Sequence, residues 1–200
     1  DTGDTFTHTP NQAATAVRTG DTVTVAEDLP GANTGSYDPT VACDNGADPD
    51  AGGSFTVTAA MVASGVTCTI TNTRQAATVV LQKHWNNAAT GDAADLTITG
   101  GTPDPSTATS SVTTDSGATF TDTVNQAATA VSTGDRVTVE EDLLAANIGN
   151  YDTTLACDNG ARPDADGTFT VTAAMVATGV TCTVTNTRQR ATVVLQKHWN

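Results

Sequence analysis

ValThrCysThrIleThrAsnThrArg at 66–74, with its near copy ValThrCysThrValThrAsnThrArg at 180–188, decides how the chain is read. β-Branched residues at this density favour an extended strand. Side chains of a strand alternate between two faces. Val66, Cys68, Ile70 and Asn72 then share one face, and Thr67, Thr69, Thr71 and Thr73 share the other. Val180, Cys182, Val184 and Asn186 repeat the first row. An apolar row ending in an amide requires either a buried hydrogen bond for that amide or a reaction that consumes it.

The two copies lie 114 residues apart, and the same offset relates AsnGlnAlaAlaThrAlaVal at 11 and 125, CysAspAsnGlyAla at 43 and 157, and GlnLysHisTrpAsn at 82 and 196. Residues 1–86 align on 115–200 without a gap, with 67 identities. A period of this length is a whole domain rather than a turn of a solenoid. ThrArgGln at 73–75 closes one strand, and AlaThrValValLeuGlnLysHisTrp at 77–85 starts the next. The expected organisation is therefore a complete repeat over 76–189. Residues 1–75 are expected to be an incomplete repeat without its N-terminal strands, and 190–200 the first strand of a following repeat.

Within 76–189 the pattern predicts strands near 77–85, 94–99, 118–124, 128–132, 135–141, 151–156, 168–172 and 180–187. Turn signals separate them, among them ThrGlyAsp at 133–135, AspAsnGly at 158–160 and AspGly at 166–167. ThrAlaAlaMetValAla at 172–177 suits a single helical turn, and the Pro, Ser and Thr of 100–116 suit a loop. Short strands with regular turns indicate an all-β protein of tandem immunoglobulin-like sandwiches.

Composition agrees and excludes several functions. The chain is 38% apolar, with four Phe, two Tyr and two Trp. Its net charge of −14 leaves no basic patch to displace counterions from phosphates, so no nucleic-acid partner is expected. No run of eighteen apolar residues is present, so no membrane insertion is expected in this segment, and no signal peptide is visible. No Ser–His–Asp set recurs in both copies: His84 and His198 follow the lysines onto the opposite face, and Asp122 replaces His8. Hence no enzyme is expected beyond chemistry the chain performs on itself.

The cysteines fall two per repeat, at Cys43, Cys68, Cys157 and Cys182, with no CxxC pair to suggest zinc. Four cysteines allow three pairings, or four buried thiols. The repeat favours Cys43–Cys68 and Cys157–Cys182, which implies an oxidising compartment and an extracellular, secreted or cell-surface protein. The acidic stretches 44–50 and 158–167 resemble calcium loops faintly. Arg162 replaces Asp48 and no Glu closes either loop, so a solvated turn is the expectation and neither metal nor cofactor is assigned. Trp85 and Trp199 are read as core caps at domain junctions.

Two residue types are rare and placed with care. The lysines are Lys83 and Lys197, at equivalent positions, and the glutamates are Glu27, Glu140 and Glu141. Glu27 and Glu141 are equivalent, and Ala26 stands where the second copy has Glu140. By parity Lys83 continues the row of Val79 and Leu81, Glu141 that of Val137 and Val139, and Asn186 that of Val180, Cys182 and Val184. Burial disfavours the charged forms, pushing a lysine toward a neutral amine and a carboxyl toward its acid. A neutral amine is a nucleophile, and a carboxylic acid can polarise an amide carbonyl and shuttle protons. Brought together in a dry core, these groups can join Lys to Asn and expel ammonia. The plainer alternative is a buried Lys–Glu pair beside a hydrogen-bonded Asn.

A first-strand Lys, a Glu ahead of a Gly/Tyr segment (GluAspLeuProGlyAlaAsnThrGlySerTyr, 27–37) and a last strand ending in ThrAsnThr resemble the Cna B-type, prealbumin-like (SpaA-type) domains of Gram-positive adhesins and pilins. The resemblance implies an isopeptide bond from Lys83 to Asn186, with Glu141 as catalytic acid. It implies the same roles for Glu27 and Asn72 in the first repeat, and assigns Lys197 to a following one. The segment between Glu27 and Tyr37 is longer than that family's usual spacing, and Leu144 replaces Pro30 in the second copy, which leaves Glu140 as the spare acid. The implied function is a structural stalk or filament repeat, stapled by a disulfide and a self-made isopeptide bond. Its partners would be neighbouring repeats and, in a filament, other copies, with Lys197 of one chain meeting Glu27 and Asn72 of the next. The alternative is an adhesive module that binds host matrix or glycan through exposed loops such as 100–116 or 158–167.

Overall fold

A computed structural model describes residues 12–31, 33, 35–113 and 117–199. His8 and Asn200 lie outside them. The chain divides into two units, residues 1–31 with 38–73 and residues 32–37 with 74–200.

The first unit contains β1 (Thr22–Thr24), β2 (Tyr37–Cys43), β3 (Ser54–Thr56), helix α1 (Ala59–Ser64) and β4 (Cys68–Arg74). β1 pairs with β3, and β2 with β4. Ala47, Val57 and Met61 form its small core. Side chains of β4 alternate between half-buried and exposed, with Cys68, Ile70 and Asn72 on the inner row.

The second unit is a sandwich of two four-stranded sheets. It comprises β5 (Ala76–Ala88), β6 (Ala93–Thr99), β7 (Ser106–Ser111), β8 (Ala118–Ser132), β9 (Arg136–Leu143), β10 (Tyr151–Cys157), β11 (Thr168–Thr170), helix α2 (Ala173–Thr178) and β12 (Val180–Arg188). One sheet has the order β10-β12-β5-β8 and the other β11-β9-β6-β7. β5 and β12, the first and last strands, run parallel at the centre of their sheet, with Val184 beside Lys83 and Asn186 beside Trp85. The expected parity holds: Val79, Leu81, Lys83 and Trp85 are all buried, as are Val180, Cys182, Val184 and Asn186.

Three features depart from the predicted pattern. The segments 118–124 and 128–132 are one strand, β8, whose register against β5 shifts between Leu81 and Lys83. The shift exposes Val124 and turns Asp122 inward, where its carboxylate accepts from the backbone amides of Val124 and Asn125. A polar break in the apolar pattern is thus a bulge within a strand. The stretch 100–116 also contains β7, which pairs with β6. Its inward row is Ser106, Ala108 and Ser110, with a serine at both buried positions, so no strong apolar alternation marks it. Finally, residues 189–199 form no strand here, and Trp199 is 77% exposed, unlike the buried Trp85.

Helix α2 is a single capped segment. The Thr172 side chain accepts from the Met175 amide, and Gly179, at φ 73°, closes it. Gly167 is required more strictly: at φ 77° a Cβ there would sit 2.2 Å from the Val139 carbonyl oxygen, and Gly53 repeats this against Val25.

Two apolar clusters fill the sandwich. The larger includes Leu81, Ile98, Val139, Phe169 and Val184. The smaller is built on Trp85, Ala88, Ala94 and Val112, with Tyr151 and Phe120 against it. The inward row of β5 passes from one to the other, and Lys83 stands between Leu81 and Trp85.

Candidate functional site

Lys83 and Asn186 are both 0% exposed. They lie on one face of the adjacent strands β5 and β12, two positions apart in register. Same-face side chains at such a diagonal are within reach of one another. Glu141 comes from the opposite sheet, on β9, where it pairs with Leu96 of β6. In β9, Glu140 and Asp142 are exposed while Glu141 follows Val137 and Val139 inward. The inward carboxylate is therefore Glu141, and Glu140 faces water.

The three side chains meet in the gap between the sheets. One oxygen of Glu141, Oε1, forms an ion pair with Lys83 Nζ. The same oxygen accepts a hydrogen bond from Asn186 Nδ2 at 2.8 Å. A carboxylate can only accept, so it selects the NH2 end of the amide. The carbonyl end, Asn186 Oδ1, then turns to β10 and accepts from the Thr153 hydroxyl at 2.8 Å. Lys83 Nζ also lies 4.6 Å from the centre of the Trp85 ring. Burial lowers the Lys83 pKa to about 8, although hydrogen bonding and charge from Glu141 act the other way.

Trp85 is held in turn. Its indole N–H donates to Ser110 Oγ at 3.0 Å, and Ser110 donates to Asp122 at 2.8 Å. Burial works against the Asp122 charge, but hydrogen bonds from Asn125, Ser110 and Val124 outweigh it and the pKa is lowered. On its other side Trp85 meets the Tyr151 ring edge-on at 5.3 Å. The Tyr151 hydroxyl donates to buried Asp92 at 2.6 Å, and Asp92 also accepts from the amides of Ile148 and Gly149. Burial and Asp92 together push the Tyr151 pKa up to about 12. The floor of the site is thus fixed by two polar anchors.

In the first unit, Asn72 Nδ2 donates to Glu27 Oε2 at 2.8 Å, the counterpart of the Asn186–Glu141 contact. Asn72 Oδ1 is buried and has no hydrogen-bond partner among the described residues. Lys197 is exposed, with its amine over the Trp199 ring. The disulfides are Cys43–Cys68 and Cys157–Cys182, the latter joining directly opposed residues of β10 and β12. In the acidic turns, Asp50 and Asp164 each accept two nearby backbone amides. His84 lies on the far face of β5, hydrogen-bonded to Thr121.

Thr153 is the site residue that the strand patterns alone do not reveal. A signal exists nonetheless. Counting four residues back from Cys157 and four on from Cys182 in an antiparallel pair sets Thr153 opposite Asn186, which is the observed register.

A family model for a prealbumin-like fold domain of the SpaA type matches residues 1–74 and 78–188. Comparison with curated proteins and with solved structures gives no significant match.

Proposed function

Since the chain belongs to the SpaA-type family of prealbumin-like fold domains, we propose that it is a stalk repeat of a secreted or surface-attached fibre, closed by a self-made amide between Lys83 and Asn186. The organisation that goes with this reading is a complete repeat over 76–189, preceded and followed by parts of others.

The observation that carries the reading is one carboxylate oxygen shared between a buried amine and a buried amide nitrogen. Neutral Lys83 Nζ attacks Asn186 Cγ, and negative charge develops on Oδ1. Glu141 takes a proton from the attacking nitrogen and delivers one to Nδ2 through the same oxygen. The Cγ–Nδ2 bond breaks, ammonia leaves, and a secondary amide remains. Atoms balance, and nothing is oxidised or reduced. The surrounding apolar side chains exclude the water that would otherwise compete for the amide and keep the amine protonated.

A stalk also explains why the other features are structural. The disulfide and the amide both end on β12, limiting how far the unit can open under load. No helix among the described residues is long and apolar enough to cross a membrane.

Intact mass of the purified chain tests the proposal. The wild type is expected to be lighter than its sequence, with disulfide hydrogens accounted for, by one ammonia. One rather than two is expected because Lys83 is buried against Glu141, whereas the other lysine, Lys197, is exposed. Lys83→Ala, Asn186→Ala and Glu141→Ala should each restore the full mass. A folded wild type at full mass would sink the reading.

A further inference from the structure

We infer that the Thr153 hydroxyl is the oxyanion donor for this reaction, holding the Asn186 carbonyl oxygen while charge builds on it. The inference rests on the Lys83–Asn186 reading and adds a group that the Lys, Glu and Asn set does not contain.

Geometry and chemistry point the same way. Thr153 is directly opposite Asn186 in the β10–β12 pair. Its Oγ1 lies 2.8 Å from Asn186 Oδ1, and an amide oxygen can only accept, so Thr153 donates. Glu141 occupies the nitrogen end of the same amide. Each end of the reacting group therefore has its own partner: a proton carrier on the leaving nitrogen, a donor on the oxygen. When Lys83 adds to Cγ, the C=O bond becomes a C–O⁻ single bond. A donor already aimed at that oxygen stabilises the transition state more than the ground state. Collapse of the adduct re-forms the carbonyl, breaks Cγ–Nδ2 and leaves the Thr153 proton where it began.

The first unit provides an internal contrast. In the aligned repeat, Pro39 stands where the second copy has Thr153. Proline has no side-chain donor, and Asn72 Oδ1 is buried without a partner among the described residues. The Glu27–Asn72 contact persists all the same. Thr153 is also suited to mutation. It sits on the edge strand of its sheet and is exposed overall, so Val fits there without crowding and removes only the hydroxyl.

The test follows ammonia loss over time. The full chain is made by cell-free translation under oxidising conditions, and samples are quenched in acidic denaturant for intact mass. Thr153→Val should slow the loss at least roughly tenfold, while Thr153→Ser, which keeps the hydroxyl, stays within about threefold of wild type. Equal rates for Thr153→Val and wild type would overturn the inference, as would equal slowing by Val and Ser. Folding is checked in the Lys83→Ala background, where no bond can form. There Thr153→Val should still unfold in one cooperative transition, with the midpoint lowered by several degrees for the lost hydrogen bond to buried Asn186, and loss of that transition would reassign the residue to a structural role. A wild type and Thr153→Ser chain that never lose ammonia would instead reject the Lys83–Asn186 reading itself, and this inference with it.

Discussion

Lys83 is charged in water and sits where water does not reach. Burial brings its pKa down to about 8 against the pull of Glu141, so near neutrality a minor fraction is the neutral nucleophile. Deprotonation then governs the rate: ammonia loss should rise about tenfold per pH unit below 8 and level off above it. A rate that is flat from pH 6 to 9, measured by intact mass, would show that amine deprotonation is not limiting. The same shift has a stability consequence in a chain that cannot bond, such as Asn186→Ala. Between pH 8 and the ordinary lysine value of 10.5 the unfolded chain binds more protons than the folded one. Stability must therefore climb with pH across that window. A wild type closed by the proposed amide, whose Lys83 no longer titrates, should lack this climb. Denaturant unfolding at a series of pH values compares the two. Asp92 is buried as well, and its side-chain oxygens accept from Tyr151, Ile148 and Gly149.

At the scale of the element, β12 is where the covalent and polar links of the second unit converge. It receives the disulfide at Cys182, and Asn186 stands two pleat repeats beyond, four residues on. The disulfide also locks the β10–β12 register, on which the Thr153–Asn186 contact depends. Cys157 and Cys182 are 25 residues apart, a loop whose closure is worth about 3 kcal/mol by chain entropy. Replacing both by Ser in the Lys83→Ala background should lower the unfolding free energy by about that amount, read from urea denaturation. In the bonded chain the loss should be smaller, because the amide already constrains β12 in the unfolded state. The elements differ in how legible they are. β5 and β12 declare themselves through apolar alternation, and β9 through Val137, Val139 and Glu141. β7 does not, because its inward Ser106 and Ser110 serve as hydrogen-bond partners for Ala128 and Trp85 rather than as apolar filling. The division of β8 into two strands has a similar cause, since the bulge around 123–126 places polar residues where a regular strand would alternate.

On the scale of the whole molecule, the proposed amide changes what the chain does under force. Lys83 and Asn186 are 103 residues apart in sequence but adjacent in the fold. Pulled from its ends, a bonded second unit cannot release the chain between them. With the disulfide reduced, Lys83→Ala should release roughly 350 Å more contour length on unfolding than wild type. Single-molecule extension measures this directly, and equal lengths would count against a load-bearing staple. The parallel β5–β12 pair suits such a role, because first and last strands lie side by side at the centre of one sheet. Tension entering at β5 and leaving at β12 would then act on neighbouring strands.

Much of this protein is determined by sequence alone. Period-2 alternation is local, so strand class and inward face can be read from consecutive residues. The 114-residue repeat, the inward parity of Lys83, Glu141 and Asn186, and a within-repeat cysteine pairing all follow from such reading. Tertiary structure decided what depends on closure between distant strands. It made β12 a parallel neighbour of β5, aimed Glu141 across from the other sheet, and buried the serines of β7. It also turned the Asn186 amide so that its nitrogen meets Glu141 and its oxygen meets Thr153. Alternation says which side of a strand a residue occupies. What stands opposite is set by how the sheets pair and pack, and here that opposition brings Lys83, Glu141, Asn186 and Thr153 together.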